Sequence, residues 1–335
     1  YLRRIAVYLC FLAPLGAATV GTVVAPTGGY QVGGAADIVL DEGRNRLYLV
    51  NSSQSRIEIY SIAQRRFLSS IRTSTFPISA ALSRDGAYLY VACHDANALN
   101  VIDLENQTVI KSVSLPAKPE GVAVGADERV LITTIGTGPN NAANTFLIYD
   151  PNAVGSASLA NVVIAPRPPM PPQLPPLLGR PALAGRSRLI ATADGSRIIG
   201  LNAPANNARA VFVYEVASGT VIRSREVSGL STVLSVSPDG SKFMAGLTLF
   251  ETESLTVLAQ QNAANATFPL SVNTTPQGFN QIASQFNLQQ NQGGSVFSPD
   301  GSVLYSAFNI APVQNPPARA NISQLYFNDP ENLFI

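Results

Sequence analysis

Leu82-Ser83-Arg84-Asp85-Gly86-Ala87-Tyr88-Leu89-Tyr90-Val91 reads as two short apolar strands joined by a tight turn. An aspartate in such a turn bonds its own backbone and a glycine accepts a positive φ, so the chain reverses between antiparallel strands. The pattern returns at Val236-Ser237-Pro238-Asp239-Gly240-Ser241-Lys242-Phe243 and at Phe297-Ser298-Pro299-Asp300-Gly301-Ser302-Val303-Leu304-Tyr305. Looser copies stand at Asp41-Glu42-Gly43, Ala126-Asp127-Glu128 and Ala193-Asp194-Gly195-Ser196, which makes six.

The spacing of these turns decides the architecture. Gly86 lies 43 residues beyond Gly43, Glu128 lies 42 beyond Gly86, and Gly240 lies 45 beyond Gly195. A period of about 40–45 residues with four strands per repeat is that of a β-propeller blade. One blade reads as strands at 37–40, Arg46–Asn51, Arg56–Ser61 and 66–72; the next as 78–82, 87–92, Ala98–Asp103 and Thr108–Ser114. Third strands recur at 146–150, 211–216 and 324–328. Pairs such as Ile102-Asp103, Tyr149-Asp150 and Tyr214-Glu215 mark the exit to the last strand. The predicted fold class is therefore all-β, a β-propeller of four-stranded blades spanning residues 26–335, with six blades visible from residue 36 onward. The sixth reaches Ile335 inside its fourth strand. An open ring exposes strand edges. Either six blades close through 22–26, or a seventh blade lies beyond Ile335; seven blades in the complete protein is the favoured reading.

The two longer gaps between turns hold insertions. One is proline-rich, 166–181, with Pro168-Pro169-Met170-Pro171-Pro172; the other is rich in Asn and Gln, 260–292. Each falls between blades and before a first strand, so both should project from one face, where loops carry binding. An extended proline-rich segment suits a proline-recognising partner, although a solvated surface loop is the plainer reading.

Composition narrows the function classes. Hydrophobic residues make up 46%, which supports a core, and charged residues only 13%, far below the usual quarter. Lys111, Lys118 and Lys242 are the only lysines, and the net charge is +1. No basic field exists to steer a nucleic acid, so none is expected as a partner. At the N-terminus Leu2-Arg3-Arg4 precedes an apolar run from Ile5 to Leu15 and then Gly16-Ala17-Ala18. Basic, apolar, then small is the order of a secretory signal. Apolar residues continue to Ala25, so 1–25 reads as a signal peptide or, uncleaved, a membrane anchor. Contact with a membrane is expected only through that segment. With Cys10 removed, Cys93 stands alone and no internal disulfide is possible. The predicted location is secreted, periplasmic or cell-surface.

Leu89-Tyr90-Val91-Ala92-Cys93 and Ala98-Leu99-Asn100-Val101-Ile102-Asp103 resemble the YVTN-type β-propeller repeat family. Its repeat carries Tyr-Val-Thr-Asn on one strand and Val-Ile-Asp on the next. Tyr90 and Val91 match, while Ala92 and Cys93 depart; Tyr48-Leu49-Val50-Asn51 matches at Tyr and Asn. The likeness covers 36–115 and loosens afterwards. It implies a secreted or surface-displayed propeller, often a repeat scaffold within larger exported proteins. The family carries no catalytic motif, so no site residue comes with the resemblance.

Little else in the chain suggests chemistry. His94 is the only histidine, which argues against zinc, haem and copper sites, and no cofactor is expected. Cys93-His94-Asp95 suggests a Cys-His-Asp cluster, but successive strand residues point to opposite faces and should not converge. No Gly-x-Ser-x-Gly elbow is present. Gly136-Thr137-Gly138 runs on into Pro139-Asn140-Asn141 as a loop, unlike a phosphate cradle. Asp85, Asp194, Asp239 and Asp300 recur one per blade, whereas calcium needs its oxygens gathered; turn chemistry explains them. Tyr48, Tyr88, Tyr90 and Tyr305 should pack between blades. No catalytic, cofactor-binding or metal residue is assigned. The expected function is a non-enzymatic binding or scaffold module, with a protein or cell-envelope component as its partner. The alternative is a lactonase- or lyase-like enzyme with its site over the central channel, where Glu120, Asp127 and Arg129 could converge, although nothing in their spacing demands it.

Overall fold

The computed structural model describes residues 35–141, 143–162, 187–202, 208–228, 230, 234–246, 248–260, 295–306, 308–309 and 333–334. The segment 1–25, the insertion 166–181, all of the insertion 260–292 but Gln260, and the expected strand 324–328 lie outside the described residues.

Blade 1 holds β1 (Ile38–Asp41), β2 (Arg46–Asn51), β3 (Arg56–Ser61), β4 (Arg66–Phe67) and β5 (Ile71–Arg72). Its expected fourth strand, 66–72, is two short pieces that both pair with β3. Blade 2 holds β6 (Pro77–Leu82), β7 (Tyr88–Cys93), β8 (Ala98–Asp103) and β9 (Thr108–Ser114). Blade 3 holds β10 (Pro119–Val124), β11 (Val130–Thr134), β12 (Phe146–Tyr149) and β13 (Leu159–Asn161). Blade 4 holds β14 (Ser187–Ala191), β15 (Arg197–Asn202), β16 (Ala208–Glu215) and β17 (Thr220–Ser228). Blade 5 holds β18 (Leu234–Val236), β19 (Lys242–Ala245), β20 (Thr248–Glu251) and β21 (Val257–Gln260). Blade 6 shows β22 (Ser295–Phe297) paired with β23 (Leu304–Ser306). β24 (Phe308–Asn309) follows directly and pairs with β25 (Leu333–Phe334). Blades 2 to 5 are four-stranded and antiparallel in sequential order. The first strands of successive blades neighbour one another, as in a ring of radial sheets. The protein is an all-β propeller. Its only helices among the described residues are two short 3-10 turns, Pro139–Asn141 and Gly155–Ser158.

Alternation along each strand builds the core. On β7, Leu89, Val91 and Cys93 pack with Tyr48, Val50, Ile57 and Ile59 of blade 1. The residues between them, Tyr90 and Ala92, pack with Val122, Val130 and Leu147 of blade 3. Opposite faces of one strand thus serve two junctions, so the strand reads as apolar throughout. Ala123, Leu131 and Phe146 meet Ile198, Phe212 and Tyr214 between blades 3 and 4. Ile199, Leu201 and Val211 meet Phe243 and Phe250 between blades 4 and 5. Tyr48 and Tyr90 are buried between blades as expected, but Tyr88 and Tyr305 are exposed. Tyr88 opens its strand beside the turn. Tyr305 stands opposite the exposed Val296 on the face of blade 6 turned away from blade 5.

The six turns all join a first strand to a second. Gly86, Gly195, Gly240 and Gly301 take φ near 70°, where a side chain would be strained. Beside each, one aspartate oxygen accepts from a hydroxyl two residues earlier and an amide two residues later. The pairs are Ser83 and Ala87 on Asp85, Thr192 and Ser196 on Asp194, Ser237 and Ser241 on Asp239, and Ser298 and Ser302 on Asp300. These bonds, the hydroxyl's first, hold Asp194, Asp239 and Asp300 at about 2, and lower Asp85 as well. A carboxylate depressed in the fold stabilises it fully above its unfolded value of about 3.9 and loses that contribution as the pH falls toward 2. Stability should therefore decline from about pH 4 downward. Asp239→Asn combined with Asp300→Asn should flatten the decline, as urea midpoints between pH 2 and 5 would show; an unchanged slope would mean that these carboxylates do not govern it.

Candidate functional site

Sequential antiparallel strands sort the connections onto two faces. Turns between strands 1 and 2 lie on one face. Loops between strands 2 and 3, and the links from one blade to the next, lie on the other. Both expected insertions are links of the second kind, placed after β13 and β21. On the turn face Arg44 Nη1 donates to Gly86 O at 2.7 Å, Ala126 N to Gly195 O at 2.8 Å, and Arg84 Nη2 to Ala193 O at 2.8 Å. These bonds tie turn to turn, which is a structural role.

The loop face carries the unusual chemistry, concentrated where blade 2 meets blade 3. Phe76 lies in the link before β6 and has φ 56°. Most other non-glycine residues with positive φ sit in strand-to-strand turns; a bulky aromatic there, preceding a proline, is an outlier that packing must hold in place. Phe76 N donates to Ser55 Oγ at 3.2 Å, and Phe76 O accepts from His94 N at 2.9 Å. The Phe76 ring remains exposed and meets the His94 ring edge-on, with centroids 6.1 Å apart.

His94 follows the last residue of β7. Its Nδ1 lies 2.9 Å from Asp95 Oδ1 and its Nε2 lies 3.3 Å from Glu120 Oε1. Lys118 Nζ donates to the same Asp95 oxygen at 2.8 Å. Lys118, and after it His94, holds the Asp95 carboxyl below its usual range. Glu120 is only 6% exposed. The register between β10 and β11 slips at Glu120, as that between β6 and β7 slips at Ile78. Such bulges re-aim a side chain; in blade 3 the repeated bulge presents a carboxylate where blade 2 has isoleucine.

Toward the axis, Asp37 Oδ2 accepts from Ser79 Oγ at 2.9 Å and Ala80 N at 3.1 Å. Arg188 places Nη1 3.6 Å from the same oxygen and donates from Nη2 to Ala36 O at 2.6 Å. Blades 1, 2 and 4 are thereby linked on this face. A partly exposed pair of this kind contributes at most about 1 kcal/mol.

Two sequence expectations need correction. His94 and Asp95 do meet, because strand alternation ends at Cys93 and does not govern the loop after it. Cys93 does stay apart: it is buried, its Sγ lies 3.4 Å from Asn100 Oδ1, and burial pushes its thiol up to about 12. Glu120, Asp127 and Arg129 do not converge. Glu120 is at the loop-face end of β10, whereas Asp127 and Arg129 lie in the turn beyond its other end, where Arg129 Nε bonds Asp150 at 3.2 Å. Among the described residues no group of three His, Cys, Asp or Glu side chains gathers to hold a metal, and no helix is long and apolar enough to cross a membrane.

No family model matches the chain. It is similar to Antigen Lp49 of Leptospira interrogans serogroup Icterohaemorrhagiae serovar copenhageni, 30% identical over 114 residues. That match covers 30% of this chain and 25% of that protein, so the chain spans about a quarter of the relative's length. Among solved structures, Kuenenia stuttgartiensis hydrazine synthase superposes with a TM-score of 0.50 at 14% identity, over 86% of this chain and 95% of that one. The β-propeller domain of Myceliophteria thermophila Cps50 (Swd1) superposes with a TM-score of 0.48 at 15% identity, over 68% and 69%. At this level of identity the hydrazine synthase likeness speaks to fold alone.

Proposed function

We propose that this chain is an exported, surface-displayed propeller of the YVTN-repeat type. It acts as a non-enzymatic binding or scaffold module for a protein or cell-envelope component. The observation that carries this reading is Phe76: an exposed aromatic ring kept at a strained φ of 56° and seated on His94, whose ring in turn meets Asp95 and Glu120, with Lys118 bonded to Asp95. Strain of that kind persists where the surrounding structure over-determines it, and binding sites are where it collects. The segmental similarity to a protein named as an antigen accords with display outside the cell.

A photo-crosslinking amino acid in place of Phe76 tests the reading, with one in place of Val154 as control. Val154 is highly exposed and lies between β12 and β13, on the turn face. Irradiation with cell-envelope fractions should give a discrete adduct from position 76 and none from position 154. The same adducts from both positions, or none from either, would remove the basis for a binding face here.

A further inference from the structure

We propose that the loop face between blades 2 and 3 takes a sugar. The Phe76 ring is the platform for a neutral pyranose, and Lys118 and Asp95 are the donor and the acceptor for its hydroxyl groups. This names the ligand class of the binding face proposed above and rests on that reading.

The repeat builds both halves of the site. Phe76 and Lys118 hold the same place in successive blades, directly before the proline that opens the first strand, Pro77 in β6 and Pro119 in β10. Each carbonyl accepts from the amide that follows the second strand, Phe76 O from His94 N at 2.9 Å and Lys118 O from Ile135 N at 3.0 Å. The backbone frame is thus repeated, and the side chains it presents differ. Phe76 N is tied as well, to Ser55 Oγ at 3.2 Å. Both backbone groups of a residue at φ 56° are held, so the frame fixes where the ring stands, and the residue is 38% exposed.

The polar groups select the ligand. The Asp95 and Lys118 side chains are 44% and 41% exposed and bond each other at 2.8 Å. Paired in this way, their charges cancel toward a third group, and an ionic ligand finds little net field. An anion would meet the Asp95 carboxylate, and a cation the Lys118 ammonium. Hydrogen-bonding capacity remains. An ammonium has three N–H donors, and Lys118 gives one to Asp95 Oδ1. The same oxygen faces His94 Nδ1, which leaves Oδ2 as an open acceptor among the described residues. A carboxylate and an ammonium that already fix each other lose little further freedom when a ligand arrives. The fitting ligand is uncharged, has one flat apolar face and both donates and accepts. A pyranose has that constitution: its C–H face lies on an aromatic ring and its hydroxyl groups do both.

The test uses the full chain and the methyl glycosides of glucose, galactose, mannose and N-acetylglucosamine. Saturation transfer from the protein should reach the ring hydrogens of at least one of them, with a Kd of about 1 mM, the scale for a ligand of this size. Phe76→Ala should weaken that binding about tenfold, while Phe76→Tyr, which keeps the platform, should retain it. The affinity should be the same at about 20 mM and about 0.5 M salt, because the ligand carries no charge. No transfer to any of the four at about 10 mM, ten times the expected Kd, overturns the sugar site. So does binding that Phe76→Ala leaves unchanged, or binding that salt abolishes. Should Phe76→Ala fail to fold, Lys118→Ala on its exposed side chain decides, with unchanged binding again overturning the site. Crosslinking at position 76 is read separately. A protein adduct that periodate leaves intact, with no glycoside bound, keeps the binding face and overturns the sugar. Glycoside binding that depends on Phe76, with no adduct from envelope fractions, keeps the sugar site and removes the envelope partner.

Discussion

Gly200→Ala should destabilise the protein by about 3 kcal/mol, near the upper end for overpacking a core. Gly200 lies in β15 directly opposite Phe212 of β16. A Cβ added there would stand 1.9 Å from Cζ and 2.3 Å from Cε1 of that ring. The ring has no room to withdraw. It is fully buried, and Phe146 of blade 3 meets it edge-on with centroids 5.1 Å apart. The glycine is therefore the space into which blade 4 folds its own phenylalanine to present a flat surface to blade 3. Phe212→Leu alone should also destabilise, but the double variant should be more stable than the sum of the two losses, because the shorter side chain frees the volume that the added methyl group needs. Urea midpoints at constant slope measure all three. A Gly200→Ala loss within about 0.5 kcal/mol, the range of a neutral surface change, would mean that Phe212 does not lie over Gly200.

Gly200 also shows what a sequence conceals. Its strand was legible, since the apolar run around it repeats at blade spacing, but nothing local says which ring covers it. The turns were the most legible features, because Asp-Gly chemistry is complete within a few residues. Arg46–Asn51, Arg56–Ser61, Ala98–Asp103 and Thr108–Ser114 came out with the bounds read from sequence. Strand 66–72 did not, because its two halves reach β3 separately around 68–70. The sheet faces at the two ends of the row, with Ile38 and Leu40 on one and Val296 and Tyr305 on the other, are exposed. Their sequences look like those of the buried faces, since hydropathy does not record a neighbour's presence.

The candidate site is hidden in the sequence for a related reason. In sequence His94 stands beside Cys93 and Asp95, whereas Glu120 belongs to the next repeat. A signal was available. Aligning Phe76-Pro77-Ile78-Ser79 with Lys118-Pro119-Glu120-Gly121 puts a carboxylate at a position that is apolar one blade earlier. The bulge that aims it, and the backbone angle of Phe76, depend on register and packing and have no mark in composition.

Asn100→Ala should cost roughly 3 kcal/mol, more than any single hydrogen bond, because one buried amide makes three hydrogen bonds that are lost together. Asn100 is buried on β8 and bonded on both sides of its amide. Nδ2 donates to Ser74 Oγ and Ser112 Oγ, each at 3.0 Å. Oδ1 accepts from Ser74 N at 2.7 Å and lies 3.4 Å from the Cys93 thiol. One side chain thus joins β7, β9 and the link that carries Phe76. Blade 1 uses the equivalent positions in the same way, with Asn51 Nδ2 donating to the buried Glu58 at 2.9 Å. Removing the amide takes a partner from the half-buried Ser74 and from the exposed Ser112 and releases the link two residues before Phe76, whose backbone strain needs that restraint. Hydrogen exchange across 73–77 should then accelerate more than global unfolding explains, while β15 and β16 should follow the global loss alone. A loss below about 1 kcal/mol, the value of one ordinary hydrogen bond, would mean that Asn100 is not the shared anchor. A full loss with 73–77 unchanged would mean that Phe76 is held from the Ser55 side, and that the strain at the loop face is independent of the blade 2 interior.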